Sequence, residues 1–195
     1  MRNTEDARVK KTKARLLTSF RTLLTEKNFE DITINEICDV ADIRRATFYK
    51  HFTDKYAFFK FFVGSLRRQF DAMLTKKKTS QSTDSDYYVE YLKAMIEFLS
   101  ENEAMVNNAL ESSAFPMLID VIKEKNYEDT CDKLRESERN GLRLPASIEI
   151  TATMMTGAVA EVILRWFRSG KSIPKSKVIE EASAIIIKMS RWGNS

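Results

Sequence analysis

The run that most constrains what this chain can fold into is Thr33 to Phe52, TINEICDVADIRRATFYKHF, which reads as two short helices joined by a tight turn. Thr33 is placed to cap the first helix with its hydroxyl. Glu36, three residues on, can reach back to the Thr33 amide, so a capping box fixes where the helix begins. Ile34, Ile37 and Ala41 then recur at i, i+3 and i+7 as one narrow apolar stripe, leaving Asn35, Glu36 and Asp39 toward water. A helix this short does not stand alone in water, so the stripe must dock on neighbours. Ala41, Asp42 and Ile43 form the turn, with Ile43 expected inside. In the second helix Phe48 and Phe52, at i and i+4, face the core and leave Arg45, Ala46, Tyr49 and Lys50 on the opposite face.

Two helices so arranged suit the major groove of DNA. In a helix-turn-helix the second helix offers the side chains of its N-terminal half to base edges. It needs small residues where the groove is tight and donors where guanine or phosphate is met. These residues resemble the DNA-binding domain of the TetR family of bacterial transcription regulators, whose recognition segment ends in Thr, an apolar residue, Tyr, a variable position, His or Tyr, and Phe. Thr47 to Phe52 follow that order. The resemblance extends upstream to an amphipathic helix, Thr12 to Lys27, with Leu16, Leu17, Phe20, Leu23 and Leu24 on one side. It also includes the Asn28-Phe29-Glu30-Asp31-Ile32-Thr33 connection, and covers about a third of the chain. Two positions depart from it: Asp42 stands where the family usually has Gly, and Arg44 where it usually has a Ser or Thr cap. The resemblance implies that Arg44, Arg45, Ala46 and Thr47 approach bases, while Thr33, Tyr49, Lys50, His51 and Lys55 mainly hold phosphate. Tyr49 suits either role, and Lys55 would look the same in sequence as a plain surface lysine.

Charge points the same way. Residues 1 to 60 carry 13 Lys and Arg against 9 Asp and Glu, whereas residues 61 to 195 carry 19 of each, so the whole net charge of +4 sits in the proposed DNA-binding part. Arg2, Arg8, Lys10, Lys11, Lys13 and Arg15 crowd the N-terminus. They read either as an arm lying along the DNA backbone or in the minor groove, or as a disordered solubilising end. The single histidine, His51, lies in the recognition segment. There is no Gly-rich phosphate loop, no GxSxG and no carboxylate cluster with metal-ligand spacing, so neither catalysis nor a cofactor is expected. Cys38 and Cys131 lack CxxC spacing and companion histidines, which suggests neither zinc nor a disulfide. No 18-residue apolar stretch and no apolar leader is read from the sequence, so the expectation is a cytoplasmic protein without a membrane span.

The expected architecture is all-α, with a three-helix DNA-binding domain over 1–53 and a helical regulatory and dimerisation domain over 54–195. Thr53 and Asp54 cap a long helix in which Tyr56, Phe59, Phe62, Val63, Leu66 and Phe70 keep helical spacing. It ends at Lys76-Lys77-Lys78, before a polar stretch, Thr79 to Asp86, read as a loop. Further helices are expected at about 87–100, 102–112, 116–138, 147–169 and 175–191. Pro116 suits a helix start, and Gly141 with Pro145 marks a break.

Ile148 to Phe167 is apolar on nearly all sides, and Val178, Ile179, Ala182, Ile185, Ile186 and Met189 give the last helix the same excess. Such helices need burial on two faces. In the TetR family two of them from each chain form the dimer, which here implies contacts at Val162, Ile163, Trp166, Ile185 and Met189 and a two-fold symmetric, palindromic operator. Arg165-Trp166-Phe167, followed by Gly170 and Pro174, also resembles the C-terminal domain of Gram-positive members. An inducer would fill a space among the middle helices, shift the long helix and alter the spacing of the two DNA-reading heads. The candidate lining is Met95, Phe98, Leu99, Met105, Phe115, Met117, Met154 and Met155, since Met-rich surfaces adapt to apolar ligands. These residues equally suit ordinary core packing. The expected function is a homodimeric repressor released from its operator by a small molecule. The alternative is a DNA-bound protein of this fold whose C-terminal domain docks a protein partner.

Overall fold

The computed structural model describes residues 2–77, 84–113 and 115–190, and among these the regular structure is helical with no strand. The order is α1 (Arg2–Glu26), a 3-10 turn (Phe29–Asp31), α2 (Ile34–Ala41), α3 (Arg45–Tyr49), α4 (Lys55–Lys77), α5 (Asp84–Glu101), α6 (Glu103–Leu110), α7 (Phe115–Arg139), α8 (Ile148–Arg168) and α9 (Lys175–Ser190). The later helices fall close to their expected spans. α1 does not: it starts ten residues before Thr12, because residues 2–11 lack the apolar stripe by which a helix is recognised in sequence. The basic N-terminus is therefore neither a separate arm nor a disordered end but the opening turns of α1. The expected loop at 79–86 falls mostly outside the described residues, and α5 already begins at Asp84.

The chain divides into two compact units. The first comprises Met1–Arg67 with Asn102–Ile119, the second Arg68–Glu101 with Asp120–Ser195. The boundary expected at 53/54 therefore falls inside the first unit, for two reasons. The opening of α4 is part of the head's core, where Phe58, Phe59, Phe62 and Val63 are buried. And α6 packs on α1, with Met105 and Ala109 buried and the Asn108 amide donating to the Leu24 carbonyl at 2.8 Å. That carbonyl lies in the last turn of α1, where helix carbonyls lack an internal partner. Nearby, the Ser113 backbone N–H donates to the Glu30 carboxylate.

Phe20 centres the core of the first unit. Fully buried, it meets Phe62 at 4.9 Å, Phe58 at 5.2 Å and Phe29 at 6.3 Å between ring centroids, all edge-on. That is the favoured geometry for ring quadrupoles. Phe58 passes the contact on to Phe48 at 5.4 Å and Phe52 at 4.9 Å, which seats the short α3.

In the second unit α5 packs on α9. Val89, Leu92, Ala94 and Ile96 are buried on α5, Val178 and Ile186 on α9, and Lys175 pairs with Glu97 at 2.9 Å. The Tyr91 hydroxyl donates to Asn126 Oδ1, linking α5 to α7. Cys131, Leu134 and Ala152 form a small core under Tyr127, Leu144 and Ile148. α7 ends at Gly141, whose φ of 96° only glycine adopts without strain. The corner between α8 and α9 turns through Gly170 and Lys171, both left-handed, and is fastened by the Trp166 indole N–H donating to the Ile173 carbonyl at 2.8 Å.

α8 is long and apolar enough to cross a membrane by length and composition, with mean hydropathy 1.2 over its best window, of which 33% is buried. Its charges Glu161 and Arg165 pair with each other at 2.5 Å on the exposed side of the helix.

Candidate nucleic-acid interface

The interface is built on the capped start of α2. Thr33 Oγ1 accepts the Glu36 backbone N–H at 3.2 Å while Glu36 accepts the Thr33 N–H at 2.8 Å, the reciprocal capping box. Glu36 also accepts from the Thr33 hydroxyl and pairs with Lys27. With these donors around it, the Glu36 carboxyl is pulled down to about 2, the Lys27 bond contributing most. Thr33, expected at phosphate, is thus engaged in capping, although it stays exposed.

The turn between α2 and α3 is made by Asp42, whose backbone is left-handed with φ 50°. That conformation explains glycine at this place in the resembling family. Aspartate tolerates it better than most residues, and here its carboxylate accepts from Arg15 of α1 at 2.7 Å. The pair leaves no pattern in the sequence because 27 residues separate its members. Ile43, expected inside, is half-buried.

α3 is a single short helix whose N-cap, Arg44, makes no side-chain capping bond. Phe48 and Phe52 are buried and hold it to the core. Arg44, Arg45, Ala46, Tyr49 and Lys50 are exposed, and Thr47 and His51 are half-buried. Among the described residues none of Arg44, Arg45 and Lys50 is in an ion pair. The Arg45 guanidinium lies 5.9 Å from the Tyr49 ring centre, an arrangement that keeps both side chains splayed along one face. Burial, helped by Lys13 and Lys50, pushes the His51 imidazole below its ordinary value, which favours the neutral ring in the free chain.

Lys55 departs from the role inferred for it. Its ammonium donates to the carbonyls of Phe29, Glu30 and Ile32 at 2.8, 3.1 and 2.8 Å and sits 4.3 Å from the Phe29 ring centre. A lysine has three N–H donors, and all three are used within the protein. Burial draws its pKa down while Glu30, Asp31 and Glu36 draw it up. Lys55 joins the start of α4 to the segment leading into α2.

The other candidate residues separate. Of the proposed ligand lining, Met105 and Phe115 belong to the first unit and Met95, Phe98 and Met155 to the second. Met105 and Met155 are buried, Met154 is exposed, and Met95, Phe98, Leu99 and Phe115 are half-buried; the Met117 side chain lies outside the described residues. Phe98 stacks edge-on against Phe70 at 5.8 Å. Of the proposed dimer contacts, Ile163 and Trp166 are buried within the chain, Met189 is half-buried, and Val162 and Ile185 are 40% and 59% exposed. Among the described residues no three of His, Cys, Asp and Glu are placed to hold a metal ion.

Comparison with known proteins agrees with this geometry. A family model described as "Bacterial regulatory proteins, tetR family" matches residues 16–60, and one described as "Transcriptional regulator C-terminal region" matches residues 89–188. No curated protein matches the chain in sequence. Among solved structures it is similar to a protein from Syntrophomonas wolfei assigned as a TetR-family transcriptional regulator, with TM-score 0.76 at 16% identity, covering 93% of this chain and 95% of that one. It is also similar to one of the same assignment from a Rhodococcus species, with TM-score 0.75 at 17% identity over 93% and 99% of the two chains. The fatty acid degradation regulator FadR of Bacillus halodurans gives TM-score 0.71 at 11% identity over 89% and 93%. Identities this low show a shared fold only, but the family models span the recognition segment and most of the C-terminal helices: the chain belongs to the TetR family of bacterial regulatory proteins, as a DNA-binding transcription regulator.

Proposed function

We propose that the chain is a homodimeric repressor that occupies a short palindromic operator and leaves it when a small apolar molecule binds the second unit. The observation that carries the DNA part is the composition of the exposed face of α3. Arg44, Arg45 and Lys50 are exposed around a helix anchored by Phe48 and Phe52 and, among the described residues, are not paired with acids. In this reading Arg44, Arg45, Ala46 and Thr47 meet bases, and Tyr49, Lys50 and His51 meet the backbone. Thr33 and Lys55 contribute by shaping the support.

The dimer part rests on α8 and α9. Ile150, Met154 and Val162 of α8 and Ile185 of α9 are all 40% or more exposed. Four large apolar side chains on two helices of one unit form a surface that water disfavours. A second copy of the same two helices, related by a two-fold axis, buries both faces at once. Ile163 and Trp166 then support the interface from behind. The ligand part rests on the apolar side chains Met95, Phe98 and Met155 within the second unit.

The test compares Arg45→Ala and Lys50→Ala on the best duplex the protein selects and on random duplex. Arg45→Ala should lower affinity for the selected site by about 1–3 kcal/mol and relax its sequence preference. Lys50→Ala should weaken both duplexes alike and lower the salt slope by about one unit. Equal losses on both duplexes for both variants would overturn the assignment of roles.

A further inference from the structure

Cations on the later helices are mostly paired with acids: Lys93 with Glu90, Lys125 with Glu128, Lys133 with Glu136, Arg135 with Asp132 and Arg165 with Glu161. The opening turns of α1 break that pattern. Arg8, Lys10 and Lys11 are exposed, and among the described residues none of them is in an ion pair.

Packing does not account for these turns either. From Asp6 to Arg15 no side chain is buried, and Leu16 is the next residue and is fully buried. At about 1.5 Å per residue, that stretch is roughly 15 Å long. A helical segment with so little burial is marginal on its own.

Two contacts fix where this segment leaves the head. Arg15 donates to Asp42 in the turn before α3. Lys13 lies 5.1 Å from the Phe61 ring centre and 6.0 Å from that of Phe52, just after α3. α1 thus emerges beside the recognition segment, with Lys11 and Arg8 one and two turns before Arg15 on the same face and Lys10 alongside.

We propose that the opening turns of α1 are a second DNA-contacting element, in which Arg8, Lys10 and Lys11 hold backbone phosphates of duplex just outside the half-site that α3 reads. The contact lengthens the footprint and adds affinity without reading bases. It rests on the proposal that the head binds DNA, and it adds a stretch of duplex that the head itself does not need.

The experiment uses the full chain and an Arg8→Gln, Lys10→Gln, Lys11→Gln variant, each titrated over a range of salt. Two duplexes are compared: the selected palindrome trimmed to its core, and the same palindrome with about one helical turn, roughly 10 base pairs, added at each end. On the extended duplex the variant's slope of log affinity against log salt should be shallower by about 0.9 for each lost contact, two to three units per protomer. On the trimmed duplex the two proteins should bind alike, and their melting temperatures should agree because no substituted side chain is buried. Equal slopes for the two proteins on the extended duplex would overturn the proposal. Failure of the wild-type chain to select any sequence would instead overturn the functional reading on which it rests.

Discussion

Replacing Lys55 by methionine separates a lysine that binds phosphate from one that builds the head. Methionine keeps an apolar stem over Phe29 and removes three N–H donors, those that reach the carbonyls of Phe29, Glu30 and Ile32 at 2.8, 3.1 and 2.8 Å. Hydrogen bonds from a charged group contribute about 1.5–3 kcal/mol each when removed singly. Three from one ammonium do not add in full, and Lys55 is only half-buried, so water reaches part of the freed carbonyl surface. With the lost cation–π contact at 4.3 Å, worth about 0.5–1 kcal/mol at such a site, the expected destabilisation is about 3 kcal/mol. In a chain of this size that lowers Tm by about 6–12 °C. The assays are thermal unfolding by circular dichroism and the salt dependence of DNA binding by the folded variant at low temperature. The expected result is a lower Tm with an unchanged salt slope. An unchanged Tm with a slope shallower by about 0.9 would refute the reasoning and return Lys55 to phosphate.

Three further outcomes follow from the same geometry. Glu36 is held at about 2 in the folded chain against an ordinary 4.5, so the stabilisation it supplies is present above 4.5 and lost as pH falls toward 2. Acid unfolding of the wild type should therefore show a loss across that window that is absent in Glu36→Gln, and identical profiles would remove the capping network from the account. At Asp42, with φ 50°, Asp42→Ala should cost about 1–2 kcal/mol for a left-handed Cβ without side-chain compensation. Asp42→Gly should be close to neutral, since only an exposed ion pair is lost; urea unfolding that ranks Gly below Ala would contradict this. A double substitution of Val162→Glu and Ile185→Glu should convert the proposed dimer, twice the 22.6 kDa chain mass, to a monomer of unchanged helicity in sedimentation equilibrium. A dimer that survives both charges would move the interface elsewhere.

Much of the head was legible because local chemistry specifies it. The Thr33 and Glu36 pair is a three-residue signal, and the Phe48 and Phe52 spacing says which side of α3 is buried. What escaped was set by contacts distant in sequence. The Arg15 and Asp42 pair, the reach of Lys55 back to three carbonyls, and the docking of α6 on α1 through Asn108 leave no periodic trace. Lys55 in particular reads in sequence as a phosphate contact because its partners are backbone atoms, which sequence patterns do not display. Met105 was read as ligand lining because apolar periodicity says that a residue is buried but not against what. Ile163 and Trp166 carry the same ambiguity on α8, where apolar residues on nearly every side hide which face packs within the chain. The opening of α1 was missed for the opposite reason, since its basic residues carry no apolar stripe at all.

The central claim is that this head reads sequence as part of a symmetric pair, and it is tested most directly by selecting bound molecules from a random duplex pool at about 0.15 M salt, where non-specific phosphate binding is weakened. Recovery of a two-fold symmetric motif is the predicted result. Recovery of no motif by a folded, dimeric protein would contradict the claim.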